Sequence, residues 1–161
     1  MTLKGKTALI TGGTKGIGLG IAHAMMQNGM NVVITGRTQE SVNNVVKELD
    51  AVYPGQIAGH SGNVVRMEDM SSCMNTLHKN FGDLDVLVAN AGVGHFATIE
   101  DMEPEQWNEV IDVNLTGVFN SVKVAVPDLK KTKGYIMTIA SLAGTNFFAR
   151  GAAYNASKFG L

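Results

Sequence analysis

Tyr154 and Lys158 lie four residues apart, and on the first turns of a helix that spacing puts a phenol and an ammonium on one face. The cation favours the phenolate. Moving a phenol from a pKa of about 10 to near 7 takes roughly 4 kcal/mol of differential stabilisation, and a tyrosine so tuned can give a proton to a carbonyl oxygen or take one back. Alone, the pair reads as readily as a surface Tyr and Lys. Ser141 follows an apolar run and its hydroxyl could bind a substrate oxygen, or simply turn the chain. Asn114 falls inside a helical stretch, where a polar side chain needs a reason such as a bound water, a freed backbone carbonyl or a kink. Asn90-Ala91-Gly92 follows a further apolar run, as a ligand contact or as a loop brace.

These groups need a scaffold, and the stretch that organises it is Thr11-Gly12-Gly13-Thr14-Lys15-Gly16-Ile17-Gly18. Residues 6–10 before it read as a short buried strand. Ile17, Ile21 and Met25 after it recur at helical spacing, so the glycines form a strand-to-helix turn. Glycines let a backbone approach a pyrophosphate, and the N–H groups at a helix N-terminus hold the anion; packing of helix on strand is the competing explanation. Lys15 precedes Gly16 rather than preceding Ser or Thr, which excludes an ATP/GTP P-loop, and the glycines at 12, 16 and 18 fit G-x-G-x-x-G imperfectly.

Further strands are expected at 31–35, 56–64, 86–89 and 135–140, that at 56–64 weak and at a sheet edge, that at 86–89 apolar throughout and central. Helices alternate with them. Thr38 caps one with the stripe Val42, Val45, Val46, Leu49 and Val52; another covers 67–80; a long one runs over 104–130; the last carries Tyr154. One domain over 1–161, an α/β doubly wound parallel sheet of the Rossmann type, follows from that alternation. An acidic residue at the end of the second strand would favour NAD, but Gly36-Arg37 stands there and Lys15 adds a second cation, so NADP(H) is favoured over NAD(H) unless both are merely solvated charges.

T-G-x-x-x-G-x-G, N-A-G, a helix Asn, Ser and Y-x-x-x-K run through the chain in an order that resembles the short-chain dehydrogenase/reductases. The resemblance implies a hydride moved between nicotinamide and a carbonyl/secondary alcohol, in a 3-oxoacyl-thioester reductase or a generic ketone/alcohol reductase. It makes Tyr154 the proton donor or acceptor, and Lys158 the group that lowers its pKa and binds the nicotinamide ribose. Ser141 orients the carbonyl and Asn114 holds a water in a proton relay to Lys158. Gly12, Gly16, Ile17 and Gly18 line the pyrophosphate with Thr14 beside them, Arg37 and Lys15 take the 2′-phosphate, and Asn90, Ala91 and Gly92 flank the cofactor. Asn63, with Val64, falls at the adenine, where the family commonly has Asp. A basic residue at 15 or 37 marks NADP preference in the family. His95 could line the substrate mouth or be solvated, and Phe147 and Phe148 could form an apolar wall or pack ordinarily.

The net charge of −1 gives no basic field for nucleic acid or an anionic membrane, and no apolar run reaches spanning length. Cys73 is a single cysteine on the apolar stripe Met67, Met70, Cys73, Met74, Leu77, which reads as core and fits a cytoplasmic compartment. The sequons at Asn114 and Asn155 read as accidental, and no metal site is expected. With nothing after Leu161, strands four and five are expected to lack a helix on one face. Family members continue with further strands, a substrate loop and a helix, so a fragment is expected, a homo-oligomer (dimer or tetramer) when full length. A non-catalytic NADP(H)-binding remnant or regulatory domain is the alternative function.

Overall fold

The apolar runs pair into one parallel sheet. The computed structural model describes residues 2–161. Its strands are β1 (Thr7–Ile10), β2 (Asn31–Gly36), β3 (Ile57–Ser61), β4 (Val86–Ala89) and β5 (Tyr135–Thr138), in the spatial order β3-β2-β1-β4-β5. The helices are α1 (Gly16–Gln27), α2 (Gln39–Val52), α3 (Met67–Phe81), α4 (Pro104–Ile111), α5 (Gly117–Thr132) and α6 (Ala152–Gly160). Thr38 caps α2 as expected, accepting from the Ser41 N–H.

Side chains alternate across each strand, so each strand feeds two cores. Ala8, Ile10, Val32, Ile34 and Val88 pack with Ala22 and Met26 of α1 and Leu49 of α2. Leu9, Val33 and Leu87 pack on the other face with Met70, Cys73 and Leu77 of α3 and Ala125 and Leu129 of α5. The edge strand β3 reads weakly in the sequence because Gly59 leaves room for α2, where a Cβ would strike Val42 and Val46, yet the strand pairs with β2 along its whole length.

Several expectations need correction. The fully buried face of α1 is Gly18, Ala22 and Met26; of the expected stripe, Ile21 and Met25 pack half-buried beside that face and only Ile17 is exposed. Val52 is exposed at the end of α2. The 104–130 helix is broken by a π turn over Asp112–Thr116 between α4 and α5. Strand four is covered on both faces, with Leu87 and Val88 fully buried, because α1 and α5 close over the middle of the sheet. β5 is more open than expected: all four of its residues are exposed, so side chains on both of its faces meet solvent. Among the described residues, no helix is long and apolar enough to cross a membrane.

Burial pushes the Cys73 thiol from 9.0 up to about 12. Above pH 9 the unfolded chain therefore loses a proton that the folded chain keeps, and stability falls as pH rises. At one unit above 9 the loss is about 1.4 kcal/mol. The expected result is that Cys73→Ala flattens this alkaline decline in melting temperature relative to wild type, measured from pH 8 to about pH 10. An unchanged slope would remove Cys73 as its source.

Candidate active site

Strand order reverses between β1 and β4, whose outgoing chains diverge and leave a crevice at their C-terminal ends. The glycine turn leaves β1 on one side and Asn90-Ala91-Gly92 leaves β4 on the other. Thr11, 1% exposed, joins them: its Oγ1 accepts from the Asn90 N–H (3.0 Å) and the Ala91 N–H (3.1 Å). Asn90 Nδ2 answers by donating to the carbonyls of Thr11 (2.9 Å) and Gly12 (3.0 Å). Thr35 accepts from the Gly12 N–H through Oγ1 (3.2 Å) and from the Gly13 N–H through its carbonyl (2.9 Å).

A cleft of about 920 Å³ opens above this brace. Gly12, Thr14, Lys15, Gly16, Ile17, Arg37, Asn63, Val64, Asn90, Ala91 and Gly92 line it, all of them expected from the sequence. Gly18 lies beneath instead. A Cβ there would come within 2.5 Å of both Asn90 Nδ2 and the Gly12 carbonyl, so this glycine serves the close packing of α1 on the turn. Gly16, at φ +56°, has nothing within 4 Å of a Cβ, and Lys15 at the N-cap supplies no side-chain cap to α1. First-turn N–H groups and the helix dipole are thus left for an anion. The cleft is at the upper end of ligand-pocket size, and a dinucleotide fits its volume and its anion-binding turn. Asn63 lines it too, while its Oδ1 accepts from the Val65 N–H at 3.1 Å.

The chemistry-bearing residues adjoin the cleft at Gly94, where a Cβ would stand 3.6 Å from Tyr154 Cδ2. Lys158 Nζ donates to the Ile139 carbonyl (2.7 Å) and lies 5.7 Å from the Tyr154 ring centroid. Burial lowers the Lys158 pKa below 10.5, so in the window below that value this residue makes stability rise with pH, opposite to Cys73. Ser141 Oγ accepts from the Ala143 N–H at 3.1 Å, which leaves its hydroxyl hydrogen to donate. The 3₁₀ turn that follows, Leu142–Gly144, packs on α6 so closely that a Cβ on Gly144 would meet the Lys158 carbonyl at 2.6 Å.

Asn114 stands in the π turn, 1% exposed. Its Oδ1 accepts from the Val93 N–H (2.8 Å), and its Nδ2 donates to the Val93 carbonyl (2.9 Å) and to Ser157 Oγ (3.1 Å). Ser157 Oγ in turn donates to the Tyr154 carbonyl at 2.8 Å. One amide therefore ties the loop after β4 to the helix that carries Tyr154.

The family profile described as short chain dehydrogenase matches residues 6–161. The chain belongs to that family. Similar members of the short-chain dehydrogenases include a D-beta-hydroxybutyrate dehydrogenase of Cupriavidus necator, 37% identical over 99% of this chain and 62% of the relative. A 3-oxoacyl-[acyl-carrier-protein] reductase of Salmonella typhimurium is 34% identical over 100% of this chain and 65% of its own length. Among solved structures, an alcohol dehydrogenase from Thermococcus sibiricus complexed with 5-hydroxy-NADP superposes with a TM-score of 0.92 at 31% identity, over 96% of this chain and 66% of that one. A short-chain dehydrogenase/reductase from Burkholderia phymatum in complex with NAD gives 0.94 at 28%, over 99% and 57%. The chain thus spans under two thirds of the length of each of these relatives.

Within this short-chain dehydrogenase fold, the residues that motif reading passed over are Thr35, Ser157 and Asn120, while Thr11 enters that reading only as the first residue of the glycine motif, with no role of its own. Asn120 is buried and donates to the carbonyls of Val64 (3.0 Å) and Val65 (2.9 Å), fixing the Asn63 side of the cleft. Ser157 had a usable signal, since it lies three residues after Tyr154 and so on nearly the same helix face. The expected wall of two phenylalanines is only half present: Phe148 meets Phe96, whereas Phe147 is 87% exposed.

Proposed function

We propose that the protein is an NADP(H)-dependent oxidoreductase acting on a carbonyl/secondary alcohol pair. The carrying observation is that Tyr154 and Lys158 share one face of α6 beside the cleft, with Lys158 Nζ anchored on the Ile139 carbonyl. The cofactor, when bound, supplies or accepts the hydride. Tyr154 then gives its phenolic proton to the carbonyl oxygen in reduction and takes it back in oxidation. The ammonium of Lys158 eases the loss of that proton and reaches the ribose. Ser141 donates its free hydroxyl hydrogen to the substrate oxygen, and the water that passes protons toward Lys158 is held at Asn114 by a group other than its amide hydrogens, which Val93 and Ser157 occupy. The names of the relatives, a hydroxybutyrate dehydrogenase and a 3-oxoacyl reductase, fit such a pair.

The cofactor preference rests on charge. Arg37 and Lys15 both line the cleft and both are exposed, and no acidic residue ends β2. A 2′-phosphate would find two cations where a 2′-hydroxyl would find no carboxylate at the end of β2. Exposed Phe119 on α5 and Phe159 on α6 support a homo-oligomer packed through those helices, and a cytoplasmic location is proposed with it.

Ketone-dependent NADPH oxidation by the wild-type protein tests the reaction, and its absence with every ketone and acyl thioester tried would leave a nucleotide-binding module. Arg37→Asp tests the cofactor. It is expected to shift the NADPH-to-NADH ratio of kcat/KM toward NADH by about 10- to 100-fold, one to two charge-assisted contacts' worth. A constant ratio would take Arg37 out of the site.

A further inference from the structure

Phe96 is 53% exposed, yet its ring stands 5.6 Å from the Tyr154 ring and 5.9 Å from the Phe148 ring, tilted on both. One part of the ring is packed and the rest is open, directly beside the phenol. The backbone that carries it is held from several sides. Val93 is bonded to Asn114, His95 Nε2 lies 2.7 Å from Glu109 Oε2, Arg150 Nη2 donates to the Phe96 carbonyl at 3.5 Å, and Ala97 bridges to Gly151. Asn155, with its amide turned so that Nδ2 donates to the Gly151 carbonyl and Oδ1 accepts from the Phe148 N–H, holds the second ring's loop onto α6. Gly94 makes room: a Cβ there would sit 2.8 Å from Phe96 Cζ. A ring fixed this firmly, half open and in contact with the proton donor, has the properties of a surface for something apolar.

We propose that Phe96, backed by Phe148, is the apolar wall of the substrate site and selects, among ketones and secondary alcohols, those whose substituent on the reacting carbon is a longer alkyl chain or an aryl ring. The inference rests on the reductase reading and names its substrate class. Phe96 contributes no group to bond making or breaking; it is a specificity residue, and its effect scales with the apolar surface that the substrate lays against it. Each methylene buried there tightens binding about fourfold.

The test titrates the protein with methyl ketones from 2-butanone to 2-octanone by ligand-observed saturation-transfer NMR, and follows KM and kcat for the same series with NADPH. Wild type is expected to bind each longer ketone more tightly. Phe96→Ala should weaken 2-octanone by tenfold or more and 2-butanone by only about twofold, raising KM far more than it lowers kcat. Phe96→Leu should restore most of the trend, and Phe148→Ala should lose part of it with Phe96 untouched. A chain-length trend identical in wild type and Phe96→Ala overturns the proposal, as does the lack of any trend in wild type. A Phe96-dependent binding trend without ketone-dependent NADPH oxidation would leave the wall standing and remove the reductase reading. Turnover whose chain-length preference ignores Phe96 would do the reverse.

Discussion

Tyr154→Phe is expected to lower kcat/KM for ketone-dependent NADPH oxidation by about 10²- to 10⁴-fold, the range that a positioned general acid contributes. The substitution removes one oxygen and keeps the ring. The ring packing against Phe96 at 5.6 Å and the placement of Lys158 Nζ 5.7 Å from the centroid have no reason to change, so the loss isolates the proton. NADPH affinity, measured by cofactor fluorescence, should move far less than the rate, because the anion-binding turn and Arg37 lie on the other side of the cleft from α6. The reading fails if the two proteins oxidise NADPH equally fast. Lys158→Met should fall in the same direction, since the phenol would lose the cation that eases its ionisation.

The parts of this molecule that the sequence discloses are those where one residue type answers to one local need. Strands β1, β2 and β4 are buried on both faces and so carry the apolar runs 8–10, 32–34 and 86–89. The glycine turn reads because a dinucleotide-type bend demands glycine at fixed places, and Gly12 does adopt φ +65°. Where small or polar residues carry the buried face, counting apolar residues fails. On α1 the fully buried residues are Gly18, Ala22 and Met26, with Ile21 and Met25 only half-buried beside them, and on α5 the buried face includes Gly117, Asn120 and Ser121. The π turn is invisible for a related reason: no Gly or Pro lies within Asp112–Val113-Asn114-Leu115-Thr116, and one extra residue in a helical ring shows only against the partners it rotates toward. The braces from Thr11 to Asn90 and from Asn120 to Val64 join residues 79 and 56 positions apart, which no spacing rule reaches. Asn114 was legible as a polar residue in need of a reason, but Val93 and Ser157, which supply that reason, were not.

That reason makes Asn114→Ala the second large expectation, a loss of about 3–5 kcal/mol in stability. Three hydrogen bonds of 2.8–3.1 Å vanish from a site 1% exposed, and the Val93 N–H and carbonyl lose their partner together. A hydrogen bond lost at half-buried Val93 costs about 0.5–1.5 kcal/mol, the fully buried Ser157 hydroxyl left short of a partner costs about 1–3 kcal/mol, and members of one network fall together. For a chain of this size the melting temperature should drop by roughly 10 °C, measured against Asn120→Ala, which removes a comparable buried amide from the Val64–Val65 side and spares the loop that leads to Phe96. Activity separates the two further: Asn114→Ala should impair turnover beyond its effect on folding, because the same amide ties Val93, in the lining of the cleft, through Ser157 to the Tyr154 carbonyl. A relay acting only through a held water predicts lost turnover with an unmoved melting temperature. A strut predicts that both move, and a drop of less than about 2 °C, under 1 kcal/mol, would mean that water has taken over the amide's bonds and that Asn114 holds no load.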